Sequence, residues 1–127
     1  MKHVLIIPLH IEIRRKKHYL NLNNYRNWHH YLSNNIKRKF KKVVQDQLYF
    51  KLNHPKIIYQ LYYPDMRKRD KMNIICIVDK FLMDSLVECG CLVDDSDEFI
   101  REVIVNQPIY DKGKSYCEVI FENDKFI

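Results

Sequence analysis

The chain has 127 residues, 46% of them apolar and only two of them glycine, with 22 Lys/Arg against 16 Asp/Glu and a formal charge of +6. That length holds one domain and its core but no separate regulatory module, and the composition excludes disorder and low complexity outside short loops. The charge is unevenly spread: residues 1–70 carry 16 Lys/Arg and 4 Asp/Glu, a net +12, whereas residues 71–127 carry 6 and 12, a net −6. A basic front half is the electrostatic footprint of a nucleic-acid binder, because cations near phosphates gain affinity by releasing counterions; solvated surface charge explains it equally.

The first apolar run, His3 to Ile13, contains Pro8, which predicts a strand that is short, bent or at an edge. It is too short for a membrane span and meets Arg14-Arg15-Lys16-Lys17 without a small-residue cleavage site, so it does not read as a signal peptide. The following RRKKHYLNLNNYRN reads as an irregular basic loop, since Asn favours turns. From about Tyr25 to Leu48, Trp28, Tyr31, Leu32, Ile36, Phe40, Val43, Val44 and Leu48 recur every three or four residues, the pattern of an amphipathic helix. Its other face carries Lys37, Arg38, Lys39, Lys41 and Lys42.

Lys56 to Tyr63 is β-branched and aromatic, lies between Pro55 and Pro64, and reads as a strand. It delivers the chain to a basic loop that ends on Asp70. Met72 to Cys89 has apolar residues at helical spacing, with Gly90 as its stop. After Asp94-Asp95, Phe99 to Val105 and Tyr116 to Phe121 read as two strands joined through a turn near Lys112-Gly113-Lys114. The order β-α-β-α-β-β predicts a single α+β domain over residues 1–127, with helices packed on a mixed sheet. The cysteines, Cys76, Cys89, Cys91 and Cys117, form no CxxC knuckle, which argues against a zinc site and for reduced thiols in a cytoplasm.

The segment from Asp65 to Asp95 carries the chemistry. A loop that sets Lys and Arg beside a carboxylate holds an anionic substrate and a cation together, the minimum for metal-assisted phosphodiester hydrolysis. Mg²⁺ prefers a few carboxylates plus waters, and Asp70 and Asp95 are the first candidates. A helix of about twenty residues is roughly 30 Å long, so these two meet only if the chain after Asp95 folds back along it. Each acid also has an ordinary role: Asp70 as an N-cap, Asp94-Asp95 as a solvated turn, and Asp84 as the surface partner of Lys80.

The run KRDKMN followed by DKFLMDSLVECGCLVDD resembles the RusA family of endodeoxyribonucleases, Holliday junction resolvases carried by phages and prophages. LNLNNYRNWHHYLSNNIKRKF is similar to the Asn-rich, basic segment that opens the first helix of phage members, so the resemblance covers most of the chain in order. It implies a RusA-like fold and a homodimer, in the cytoplasm of a bacterium or phage-infected host, that binds four-way DNA junctions. With Mg²⁺ or Mn²⁺ such enzymes make paired nicks in two strands, a task suited to two symmetric sites. By resemblance the metal ligands are Asp70 and Asp95, with Asp94 beside the latter. The catalytic lysine is Lys80, four residues before Asp84, and Asn73 holds the family's Asn position.

Met72 departs from the family pattern, which has a second acid there; a thioether is a poor ligand for a hard cation. About four extra residues, roughly one helical turn, separate Asn73 from the Asp84-x-Leu86 element, so Asp79 is a candidate for the missing carboxylate, with Asn73 as a weaker oxygen donor. Arg67, Lys68, Arg69 and Lys71, with Arg26, Lys37, Arg38, Lys41 and Lys42, are the expected phosphate contacts, which position DNA without reading its sequence. Tyr25 and Trp28 either stack on unpaired bases or, as Trp28's helical spacing favours, belong to the core. Two other functions fit the same residues: junction binding without cleavage, through loss of the acid at position 72, and a related nuclease acting on flaps, forks or RNA.

Overall fold

In the computed structural model, which describes residues 2–124, the chain forms one α+β domain. Its elements are β1 (Lys2–Pro8), β2 (His10–Ile13), β3 (Lys16–Tyr19), α1 (Leu22–Asn27), α2 (His30–Gln45), β4 (Lys56–Tyr63), α3 (Lys71–Glu88), β5 (Glu102–Val105), β6 (Ile109–Tyr110) and β7 (Tyr116–Glu122). The main sheet runs β1-β7-β4-β5, with β6 also paired to β4. β7 is antiparallel to both its neighbours, and β5 and β6 are parallel to β4, so the sheet is mixed. A parallel return needs a crossover, and α3 provides it between β4 and β5.

Alternation along the strands sends Leu5, Ile7, Ile57, Tyr59, Leu61, Tyr63, Cys117, Val119 and Phe121 to one buried face. Ile36, Phe40 and Val44 of α2 and the inner side of α3 from Ile75 to Leu86 close over it. Phe40 and Phe81 meet edge to face, their centroids 5.6 Å apart, which joins the two helices. Among the described residues no helix is long and apolar enough to cross a membrane.

Three local departures from the sequence reading have physical causes. The first run divides at Leu9, because Pro8 lacks the N–H that a continued ladder needs. The basic stretch after it is no irregular loop: β2 and β3 form an antiparallel ribbon, His10 opposite Tyr19 and Ile13 opposite Lys16, closed by Arg14 and Arg15 with φ of 51° and 68°. Positive φ at both central residues belongs to the tight hairpin turn whose twist matches its strands, a position normally given to Asn-Gly and costing other residues roughly 1 kcal/mol each. The long first helix is two helices. Asn21 caps α1 by accepting from the Asn24 N–H at 2.8 Å, and the backbone turns extended at Trp28, whose ring packs edge-on against His18 and Tyr25.

The outer edge of β1 is not left open. Gln47 donates from Nε2 to the Ile6 carbonyl and accepts from the Ile6 N–H, both at 2.9 Å, and donates to the Val43 carbonyl at 3.1 Å. Its amide thus imitates a neighbouring strand for one residue. Gln47→Ala is expected to lower the unfolding free energy by about 1–2 kcal/mol, read from urea denaturation, with no change in the β content seen by circular dichroism.

Candidate functional site

α3 begins where the sequence reading put it. Asp70 is its N-cap, the side chain accepting from the Met72 N–H at 3.0 Å, and Gly90, with φ 74°, closes its far end. There Cys91 N–H donates to the Leu86 carbonyl at 2.9 Å and Gly90 N–H to that of Val87 at 3.0 Å, the paired bonds of a glycine-terminated helix. Asp70 therefore fills its ordinary capping role, and it does so in the wall of a cleft.

That cleft has a volume of about 420 Å³ and lies between the base of the ribbon, α1 and the basic loop. Tyr19, Asn21, Arg67, Lys68, Asp70 and Asn73 line it. Asp65 shapes the loop by accepting from the Arg67 N–H at 3.0 Å and from the Arg69 guanidinium at 2.9 Å; these bonds, the backbone one foremost, hold its carboxyl below the usual range. Arg69 also donates to the Asp65 and Arg67 carbonyls and lies 4.6 Å from the centre of the Tyr63 ring, so it is a brace of the loop. Arg67 and Lys68 are exposed and make no ion pair among the described residues. The Tyr63 hydroxyl beneath is buried without a hydrogen-bond partner among the described residues; burial raises its pKa, Arg69 lowers it and Asp70 adds to the rise.

Asp79 lies nine residues further along α3, about 13 Å up its axis. Four residues after Ile75 and three before Leu82, it falls on the inner stripe and is half-buried. The buried Tyr59 of β4 donates its hydroxyl to Asp79 Oδ1. Burial raises the Asp79 pKa, the bond from Tyr59 lowers it, and the negative charge of Asp95 raises it again. Tyr59 is itself pushed well above its ordinary value, by burial first and then by the charge of Asp79. Residues 79 and 95 are thus within electrostatic reach of each other, the fold having returned the chain after Gly90 to the middle of α3.

The candidate ligands therefore fall into two groups. Asp70 and Asn73 line the cleft, and Asp79 lies further along α3, where the charge of Asp95 reaches it. Asp94 and Asp95 are exposed, as is Lys80, which makes no ion pair with Asp84. Among the described residues no three or more His, Cys, Asp or Glu side chains are gathered in a way that would cage a metal. The donors nonetheless suit Mg²⁺, which is commonly held by one or two carboxylates with waters and substrate phosphates completing its shell. Asp79 and Asp95 would hold it, since repulsion between two acids of one sign is relieved by a cation.

The other cations divide by whether a neighbour already holds them. Lys41 pairs with Glu88 at 3.0 Å, Lys42 with Asp46 at 2.8 Å, and Lys71 donates to Gln107 Oε1 at 2.8 Å. Lys37 lies 5.8 Å from both the Tyr25 and Phe81 ring centres, above a groove of about 270 Å³ between α2 and α3 that Asp84 and Glu88 share. Arg38 donates to Asn35 Oδ1 at 3.1 Å and makes no ion pair among the described residues, and Arg26 is exposed within charge range of Cys76. Tyr25 and Trp28 pack against the core, as the spacing of Trp28 favoured. Tyr59 escaped the sequence reading: its inward direction follows from strand alternation, but which residue of α3 it would meet does not.

No family model matches this chain, and no curated protein matches it.

The Asp79 carboxyl titrates above its unfolded range, so the folded chain binds more protons than the unfolded one between the two values. Stability from this group is present at low pH and is lost as pH rises through the raised value. Asp79→Asn keeps an oxygen for Tyr59 and removes the charge. The variant is expected to have the higher urea midpoint at neutral pH, with the gap closing below about pH 4; a gap independent of pH would exclude the ionised carboxylate as its source.

Proposed function

We propose that the protein is a metal-dependent, structure-specific endodeoxyribonuclease that nicks branched DNA, with four-way junctions as its substrate, in the manner of the RusA family its sequence resembles. The observation that supports this reading is the course of α3. Its first residues stand in a cleft rimmed by Arg67 and Lys68, which make no ion pair among the described residues, and further along it carries Asp79 within reach of the charge of Asp95.

In this reading Arg67 and Lys68 hold the phosphate backbone, joined by Arg26 and Arg38, which are not committed to carboxylates. Asp79 and Asp95 would hold Mg²⁺ or Mn²⁺, which would supply Lewis-acid activation of water and neutralisation of charge at the phosphate. Tyr59 fixes the Asp79 carboxylate by hydrogen bonding one of its oxygens and leaves the other uncommitted to Tyr59. Lys80 follows Asp79 on the exposed side, where an ammonium can approach the leaving oxygen. Asp70 and Asn73 orient the strand entering the cleft. Asp79 thereby takes the place of the acid that Met72 lacks. A symmetric substrate with two cut strands is met by two copies of the chain, acting in the cytoplasm.

A second reading, binding of junctions without cleavage, draws on the absence of a three-acid group among the described residues. A gel assay on a synthetic four-way junction with Mg²⁺ and then Mn²⁺ separates the two. The wild type is expected to nick opposed strands, and Asp79→Asn and Asp95→Asn each to slow nicking on the order of a hundredfold or more while still binding the junction. Junctions left whole by the wild type in both metals would exclude the nuclease, and rates unchanged in both variants would exclude these two ligands.

A further inference from the structure

We infer that the β2–β3 ribbon is a DNA-binding arm that grips the phosphate backbone of a double-helical segment beside the cleft. The inference rests on the nucleic-acid part of the proposed function and adds a contact surface to it. Arg14, Arg15, Lys16 and Lys17 are consecutive and exposed, and none makes an ion pair among the described residues. Lys37, Lys41, Lys42, Arg69 and Lys71 are each held by a carboxylate, an amide or a ring, whereas this cluster, like Arg67 and Lys68, keeps its charge uncommitted among the described residues.

The backbone makes the same point independently. The turn is built on Arg14 and Arg15 in left-handed conformations, where Asn-Gly would fold more easily. Strain of this kind persists where surrounding structure enforces it, and it gathers at functional positions. The enforcing structure is visible: Ile11 and His18 are buried on the inner side of the ribbon, the His18 ring meets Trp28, and Lys39 of α2 donates to the Glu12 carbonyl at 2.8 Å. The ribbon is therefore a braced projection with a cationic tip.

Its base and its tip face different tasks. Tyr19, at the base, lines the cleft that holds Asp70, and Arg14 and Arg15 lie four residues away along the strands, about 13 Å. A two-stranded ribbon fits the DNA major groove, which is about 12 Å wide. DNA seated at the cleft and followed along the ribbon would meet the four cations next. Phosphates reached in this way add affinity without reading sequence, as a protein selecting branched shape requires.

The test replaces the turn with the residues that suit it, Arg14→Asn with Arg15→Gly. A strain-free turn is expected to raise the melting temperature by about 5 °C, so weaker binding cannot be laid to unfolding. Binding to a linear duplex and to a four-way junction is followed by fluorescence anisotropy across a salt series in EDTA, where no strand is cut. The slope of log affinity against log salt should become shallower by about 1.8, two phosphate contacts at 0.9 each. A more stable variant with an unchanged slope would overturn the arm. So would a wild type that bound neither DNA but sedimented with phosphatidylserine vesicles. If the wild type fails to nick junctions in Mg²⁺ and the slope still falls in the variant, the nuclease reading fails and the arm stands.

Discussion

The placement of α3 along β4 sets the rest of the molecule, because that helix has apolar residues on most of its circumference and can be stable only when covered. Ile75, Ile77, Val78, Phe81, Leu82, Met83 and Leu86 are all buried, in one core cluster with Ile57, Tyr59 and Leu61 of β4. Asp79 is carried into this layer by its position on the same stripe. Burying an ionised carboxylate is costly unless a donor meets it, and Tyr59 is the donor. That hydrogen bond offsets part of the cost of a charge that packing alone would reject, and the raised pKa of Asp79 reflects the part it leaves. Proteins break local folding rules mainly where function requires it.

The sequence made much of this legible. β4 and α3 fall within a residue of where periodicity, flanking prolines, Asp70 and Gly90 put them, because their signals are local. The ribbon was not legible, since Arg-Arg is not a turn signal and the strands on either side of it are four residues long. The break at Trp28 was hidden for the opposite reason: apolar spacing continues across it, and the packing of Trp28 against His18 of the ribbon is a tertiary contact. At the site, the acids could be named from the sequence, but their partners could not. Asp79 meets Tyr59 through strand order and Asp95 through the path of the chain after Gly90, both tertiary facts.

Charge composition gave a similar half-answer. The basic front half counts residues, whereas affinity for phosphate depends on which of them are uncommitted. Arg69 braces a loop, Lys41 joins α2 to the end of α3, and Lys71 ties the start of α3 to the segment before β6. Among the described residues the cations that remain open include those of the ribbon tip and the cleft rim, with Arg26 and Lys80, a smaller set than the charge difference between the halves suggests.

The sheet order has one more implication. β7, from residues 116–122, lies between β1 and β4, so the strands made first and midway have no direct pairing with each other. The ribbon and α1–α3 precede β7 in the chain, and β1 and β4 each leave unpaired the edge that β7 fills until it has emerged. Closing the sheet is then a late, long-range step, slow by nature and open to mispairing with other nascent chains. The cap that Gln47 places at Ile6 blocks the opposite edge of β1 at its centre, so the side meant for β7 is the more open one during that wait.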